Sequence, residues 1–215
     1  MTVSKRMTAN PVTCTPDMGV FEAAELMKKE GVSRLPVLNE DGNLVGIVSE
    51  KNIINAEPSH SEGRVSIVEF AHLLSSLKVK DVMSKEVITV YTNDPVEQAA
   101  RKMCDYDITI LPVVDYNGKL VGVVTRSDMF RLLLALFGTR HYGIRLSFSV
   151  QDEPGTIAKI SATIDKLGAN IISIGNIDGL QGESTIIMKV NGIEKEKLAE
   201  AIKPLVKEII DIREV

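Results

Sequence analysis

Two short segments carry side chains whose types and spacing could do chemistry: Gly122-Val-Val-Thr125-Arg-Ser-Asp128 and Gly46-Ile-Val-Ser49-Glu-Lys-Asn52. In each, a glycine within an apolar run leaves room for a ligand or a second backbone to approach a strand. A hydroxyl stands three residues later, where the next helix starts. Unpaired amide hydrogens and the positive end of the helix dipole favour a phosphate at that point. The carboxylate of Asp128, a further three residues along, could accept hydrogen bonds from both hydroxyls of a ribose. Asn52 can bond a hydroxyl but supplies no charge-assisted acceptor. The Thr-x-x-Asp spacing is also a helix cap that needs no ligand, so the spacing alone leaves both readings open.

Little else in the chain points to reactive chemistry. His60, His72 and His141 lack metal-ligand spacing, and no Gly-x-Ser-x-Gly, P-loop or paired-carboxylate arrangement occurs, so neither an enzyme nor a metal site is expected. Cys14 and Cys104 fit buried thiols better than a disulfide framework. With 44% hydrophobic and 25% charged residues the composition is that of a soluble globular protein. A net charge of −4 argues against general nucleic-acid or membrane-surface binding. The most apolar run, Leu132 to Phe137, is too short to span a bilayer, and no apolar signal core follows Met1, so a cytoplasmic protein is expected.

The two segments recur because the chain around them is written twice. Residues 7–53 and 83–129 align at constant offset without a gap, matching Met7 to Met83, Thr13 to Thr89, Pro36 to Pro112, Gly42 to Gly118 and Gly46 to Gly122. Such a repeat implies a duplicated folding unit whose halves pair about a pseudo-twofold axis and form clefts. Each copy predicts the same order. In the first, 11–15 is an extended entry and 19–30 a helix closed by Gly31. A strand at 35–38, a turn at 39–42 and a return strand at 44–48 follow, with a second helix from Glu50. In the second, the helix runs 96–103, the strands 111–114 and 120–124, and a more apolar helix 127–137. Between the copies, 57–63 reads as a loop and 65–77 as an amphipathic connecting helix.

From residue 143 the period changes. Alternation predicts a strand at 143–150, a turn at 151–155, and a helix whose face carries Ile157, Ile160, Ile164 and Leu167. Strands at 170–177 and 184–190, a helix from about 194 to 206 and a last strand at 209–215 complete a ferredoxin-like β-α-β-β-α-β order.

The duplicated unit resembles the CBS domain, and two in tandem resemble the Bateman module, which binds adenine nucleotides or related adenosyl ligands. The segment Asp152-Glu-Pro154-Gly155, with Leu167-Gly-Ala-Asn170-Ile, resembles the ACT domain, a small-molecule sensor that commonly binds amino acids. The expected fold is therefore α/β (α+β): CBS domains at 1–70 and 77–139, then an ACT domain at 142–215. The first resemblance implies AMP, ADP, ATP or S-adenosylmethionine as regulatory ligand, held by Thr13, Arg34, Gly46, Ser49, Asn52, Thr89, Gly122, Thr125 and Asp128. Arg34 stands where that family often places a phosphate-contacting basic residue; its counterpart is Ile110, and its plain alternative is a surface salt bridge. Thr13 and Thr89 are also consistent with ordinary strand residues. One site assembled from both copies is expected, with Arg34 and Asp128 on a single nucleotide and Val12, Val37, Val87 and Val113 sandwiching a purine. The second resemblance implies an amino acid at Asp152, Pro154, Gly155 and Asn170, although Pro154 and Gly155 also suit a plain turn before a helix.

The domain order, with the run Leu-Lys-Val-Lys-Asp-Val-Met at 77–83, is similar to that of acetoin-utilisation proteins of the AcuB type. That resemblance implies a ligand-sensing regulator with a role in acetoin catabolism. The alternative is an assembly protein whose clefts are vestigial. A homodimer is expected, through an apolar helix face at Met129, Leu132, Leu133 and Leu136.

Overall fold

The computed structural model describes residues 1–56, 76–179 and 182–215; the loop expected at 57–63 and most of the connecting helix after it lie outside the described residues. The chain divides into two compact units, Met1–Met129 and Phe130–Val215.

In the first unit the repeat is repeated in three dimensions. Helix α1 (Val20–Glu30) buries Val20, Ala23 and Met27, and Gly31 at φ +66° closes it with its N–H on Met27 O. Helix α4 (Val96–Asp105) buries the equivalent Val96, Ala99 and Met103. Strands β2 (Arg34–Leu38) and β3 (Leu44–Ser49) form one antiparallel hairpin. Strands β5 (Ile110–Val114) and β6 (Leu120–Thr125) form the other, in the same register and with the same bulge. The turns are tied by Asn39 and Asp115, whose side-chain oxygens accept from Asn43 N at 2.8 Å and Lys119 N at 2.9 Å. Each β3 and β6 runs straight into a helix, α2 (Glu50–Asn55) or α5 (Arg126–Leu136). The extended entries are shorter than expected. In the second copy only β4 (Val90–Tyr91) forms, parallel to β5, and in the first Cys14 makes a single parallel bridge to Val37.

The segments that open the repeats cross over. Strand β1 (Thr8–Ala9) pairs antiparallel with β6 of the second copy, Thr8 opposite Val123. The equivalent Ser84 pairs with Ile47 of the first, exchanging hydrogen bonds of 3.0 and 2.9 Å. The exchange extends to the start of the chain. Val3 N donates to Asp94 O and Val96 N to Met1 O, while Val79 N, in the short helix α3 (Val79–Val82), donates to Met18 O and Val20 N to Leu77 O. These reciprocal bonds establish a pseudo-twofold axis, and each copy is completed by the entry segment of the other.

The second unit is a four-stranded antiparallel sheet in the order β10-β7-β9-β8. Its strands are β7 (Ile144–Gln151), β8 (Asn170–Asp178), β9 (Glu183–Asn191) and β10 (Glu208–Glu214). Helices α6 (Thr156–Lys166) and α7 (Lys195–Ile202) cover one face, where Ile160, Ile164, Leu198 and Ile202 pack on Leu146, Phe148, Ile186 and Met188. The α-helix expected to reach Val206 ends at Ile202 and becomes a 3-10 turn at Lys203–Leu205. Pro204 is the cause: it has no N–H to donate to the carbonyl four residues back, so the α-helical ladder stops there.

The cysteines differ. Cys14 is buried, whereas Cys104, expected to be buried too, is exposed. Burial pushes the Cys14 thiol up from 9.0 to about 11. At pH 8, iodoacetamide is expected to label Cys104 quickly and Cys14 only on unfolding, as peptide mass mapping would register. Between these two values the unfolded chain releases the Cys14 proton first, so this thiol's contribution to stability is present below about pH 9 and is lost towards pH 11.

Candidate functional site

Both hydroxyl segments form the cap. Thr125 N and Thr125 Oγ1 donate to Asp128 Oδ2 at 2.9 and 2.6 Å, and Asp128 N donates back to Thr125 Oγ1 at 3.3 Å. Ser49 and Asn52 reproduce this, with Ser49 N and Ser49 Oγ donating to Asn52 Oδ1 at 3.0 and 2.6 Å and Asn52 N to Ser49 Oγ at 3.1 Å. Capping does not exclude a ligand. A carboxylate has about four lone-pair sites, and the cap takes two of them, both on Oδ2. In Asn52 the oxygen faces the cap, which turns the amide NH2, a donor, the other way. The Ser49–Asn52 segment is thus suited to an acceptor such as phosphate, the Thr125–Asp128 segment to hydroxyls. Ser49→Ala is expected to cost about 0.5–2 kcal/mol of stability, the usual value of a lost cap, as read from chemical denaturation.

The glycines serve the crossover. A Cβ on Gly122 would stand 2.6 Å from Met7 Sδ and 3.0 Å from Thr8 O; one on Gly46 would stand 2.5 Å from Met83 Sδ and 3.1 Å from Ser84 O. Of the two approaches open to these glycines, the second backbone is the one realised, and it comes from the other copy.

A cleft of about 270 Å³ opens between the copies. The first contributes Arg34, Ser49 and Asn52; the second contributes Val87, Ile88, Thr109 and Ile110. Arg34 Nη1 donates to Thr109 Oγ1, a bond between copies rather than a surface salt bridge. Arg34 stands beside Ser49 because β2 and β3 pair them directly. Glu86 and Asp107 are also on the wall, and Asp107 is paired with Arg126 at 3.1 Å. Thr125, Asp128, Thr13, Thr89, Gly46 and Gly122 are not among the residues lining this cleft. Asp128 holds the pseudo-twofold equivalent of Asn52's place. Arg34 and its equivalent Ile110 both line the cleft, so this position lies close to the axis that relates Asn52 to the rotated place of Asp128.

Of the four valines expected around a purine, Val87 lines this cleft, whereas Val37 and Val113 are fully buried in the core; Ile88 and Ile110 complete the apolar wall. Thr109 was not anticipated, although the repeat marks it, since Ser33 and Thr109 are hydroxyls at equivalent places before Arg34 and Ile110.

In the second unit a cavity of about 220 Å³ lies at the turn after β7, with Asp152, Gly155 and Thr156 joined by Asn176 and Ser184. Gly155 takes φ +88°, a left-handed conformation that explains the glycine. Pro154 is not part of the lining. Asn170 is at the other end of the sheet, opposite Asn191, whereas the turn follows the Gln151–Glu183 pair. Helix α6 carries the chain along the sheet before β8 begins, so within one chain Asn170 cannot join the turn; Asn176 occupies that end.

A duplicated unit with crossed entry segments and a cleft between copies defines a paired module joined to a ferredoxin-like domain. The CBS-domain family model matches residues 3–59 and 79–135, and that of the TTHA0829-like ACT domain matches residues 142–213. The chain belongs to the CBS-domain family, with an ACT domain C-terminal to the pair. Protein MJ1426 of Methanocaldococcus jannaschii is 32% identical, over 60% of this chain and 90% of its own. The inosine-5'-monophosphate dehydrogenase of Korarchaeum cryptofilum is 31% identical over 83% of this chain, which spans only 35% of that enzyme.

Among solved structures, the CBS pair of protein MJ0100, in complex with 5'-methylthioadenosine and S-adenosyl-L-methionine, is 29% identical with a TM-score of 0.52 and covers 66% of this chain and 98% of its own. CBSX2 in complex with AMP is 31% identical with a TM-score of 0.52, covering 62% and 96%. A Vibrio cholerae protein named for acetoin utilization (AcuB) is 26% identical with a TM-score of 0.54, covering 65% and 95%.

Proposed function

We propose that the chain is a ligand-sensing regulator, not an enzyme, whose CBS pair binds an adenine nucleotide or adenosyl compound between its copies. The observation that carries this reading is the cleft in which Arg34 and the Asn52 amide supply donors beside the apolar Val87, Ile88 and Ile110. The adenosyl ligands of the MJ0100 pair and the AMP of CBSX2 support the ligand class. Thr125 and Asp128 would take the ribose in the rotated cleft, with Arg34 reaching the phosphate from near the axis. Thr13, Thr89, Gly46 and Gly122 would complete the surroundings of the nucleotide. The turn cavity at Asp152 and Gly155 would take an amino acid, with Asn170 completed only from a second copy. Exposed Phe130, Leu133, Leu134 and Leu136 support a homodimer, although Leu132 is itself buried. The likeness to the Vibrio protein supports a role in acetoin use, and a cytoplasmic location completes the reading.

Thermal shift and calorimetry with AMP, ADP, ATP, S-adenosylmethionine, GTP, CTP and the common amino acids test the assignment, because a ligand specific to the folded state raises the melting temperature by mass action. Adenine compounds should bind at least tenfold more tightly than guanine or pyrimidine nucleotides. Equal, weak heats for all of them would leave an assembly protein with vestigial clefts.

A further inference from the structure

The sheet of the second unit has a face without helices. On β9 the inward side chains Ile186, Met188 and Val190 join the core, which directs Ile187 and Lys189 to the opposite face. The segment after α5 lies on that face. Ser173 Oγ donates to Phe137 O at 3.2 Å, and Phe137 rests over Gly175, where a Cβ would stand 3.1 Å from its ring. Beside Phe137 is a cavity of about 440 Å³, also lined by Arg145, Ser173, Ile187 and Lys189.

Lys189 is the unusual member. It is only 5% exposed, and among the described residues its ammonium is paired with no carboxylate. Its hydrogen bond goes to a neutral group, Gly138 O, at 3.2 Å. An ammonium carries three donors, and lysine is rarely buried without a counter-charge, since stripping its hydration is costly. Nor does the neighbouring Arg145 supply one. It pairs with Asp211 at 2.9 Å, but Arg213 holds the same carboxylate at 2.7 Å, so two guanidinium groups share one negative charge.

We propose that this cavity binds a small monocarboxylate with an apolar body, its carboxylate on Lys189 and Arg145 and its hydrocarbon against Phe137 and Ile187. The size is within the range of small-molecule sites. A free amino acid fits less well, because its ammonium would lie beside the two cations Lys189 and Arg145. This site is separate from the nucleotide cleft and from the turn at Asp152.

Isovalerate and benzoate serve as probes, with leucine as the zwitterionic control and inorganic phosphate as the anion lacking an apolar body. Calorimetry on the full chain is expected to find one of the probes binding more tightly than either control, with Lys189→Met weakening it at least tenfold and Lys189→Arg retaining most of it. Lys189→Met should also raise the melting temperature of the ligand-free protein, since a buried charge lacking a counter-ion is removed. Amide shifts on adding probe should centre on 137–139, 173 and 187–189. Absence of binding at millimolar probe, equal affinity in Lys189→Met, or shifts centred on 151–156 would overturn the assignment; if Lys189→Met does not fold, the wild-type shift map decides alone.

Discussion

Asp128→Ala is expected to weaken AMP binding by about 10- to 150-fold, equivalent to about 1.5–3 kcal/mol, the worth of a hydrogen bond to a charged group. The carboxylate that caps α5 through Thr125 is the same group proposed to accept the ribose hydroxyls, so the substitution removes two functions at once. Stability separates them: the lost cap costs about 0.5–2 kcal/mol in denaturant whether or not nucleotide is present. Asp128→Asn is the sharper variant, because Asn52 in the equivalent place already forms the same cap geometry. It should keep stability near wild type while losing most of the AMP affinity. Arg34→Ala is expected to weaken AMP by a similar factor and to leave adenosine, which lacks phosphate, nearly untouched, whereas Asp128→Ala weakens both. If Arg34→Ala changes neither affinity, the bond to Thr109 is purely structural and phosphate must be held by the helix starts alone.

Gly122→Ala is expected to destabilise the first unit by about 1–3 kcal/mol, as overpacking does where neighbours have little room. The new methyl would fall on Met7 Sδ, which can turn aside, and on Thr8 O, which is fixed by the pairing of β1 with β6. Combining it with Met7→Ala relieves the first clash and not the second. The double variant should therefore lose less than the sum of the two single losses, a coupling that urea denaturation resolves. Were Gly122 a ligand-approach position instead, Gly122→Ala would lower AMP affinity and leave stability unchanged. Strict additivity would remove the methionine from the explanation.

Much of the fold was legible because it is periodic. The helical spacing at 19–30 and its repeat at 96–103 gave both helices, and the alternation at 143–150 gave the first strand of the second unit, which forms at Ile144–Gln151. The ungapped repeat gave the duplication, and the Thr-x-x-Asp spacing gave the cap at Thr125, a local property of consecutive residues. Pro204 is equally readable in the sequence as a breaker of the last helix.

What residues far apart in the chain do to one another was decided by the tertiary structure. No local pattern says that Thr8 pairs with Val123 and Ser84 with Ile47, because a two-residue strand has no period and its partner is chosen by packing. That exchange turned Gly46 and Gly122 from candidate ligand contacts into seats for Met83 and Met7. It also put Arg34 against Thr109, sealed Val37 and Val113 in the core, and left Val87 and Ile88 to line the cleft. The length of α6 separated Asn170 from Asp152, and the segment after α5 enclosed Lys189 on the open sheet face. By itself the sequence determined which elements form and which groups are chemically able to bind, since propensity, capping and charge belong to each residue and its near neighbours. Which of those groups face one space was settled by the burial of apolar surface between distant segments, a requirement on the chain as a whole.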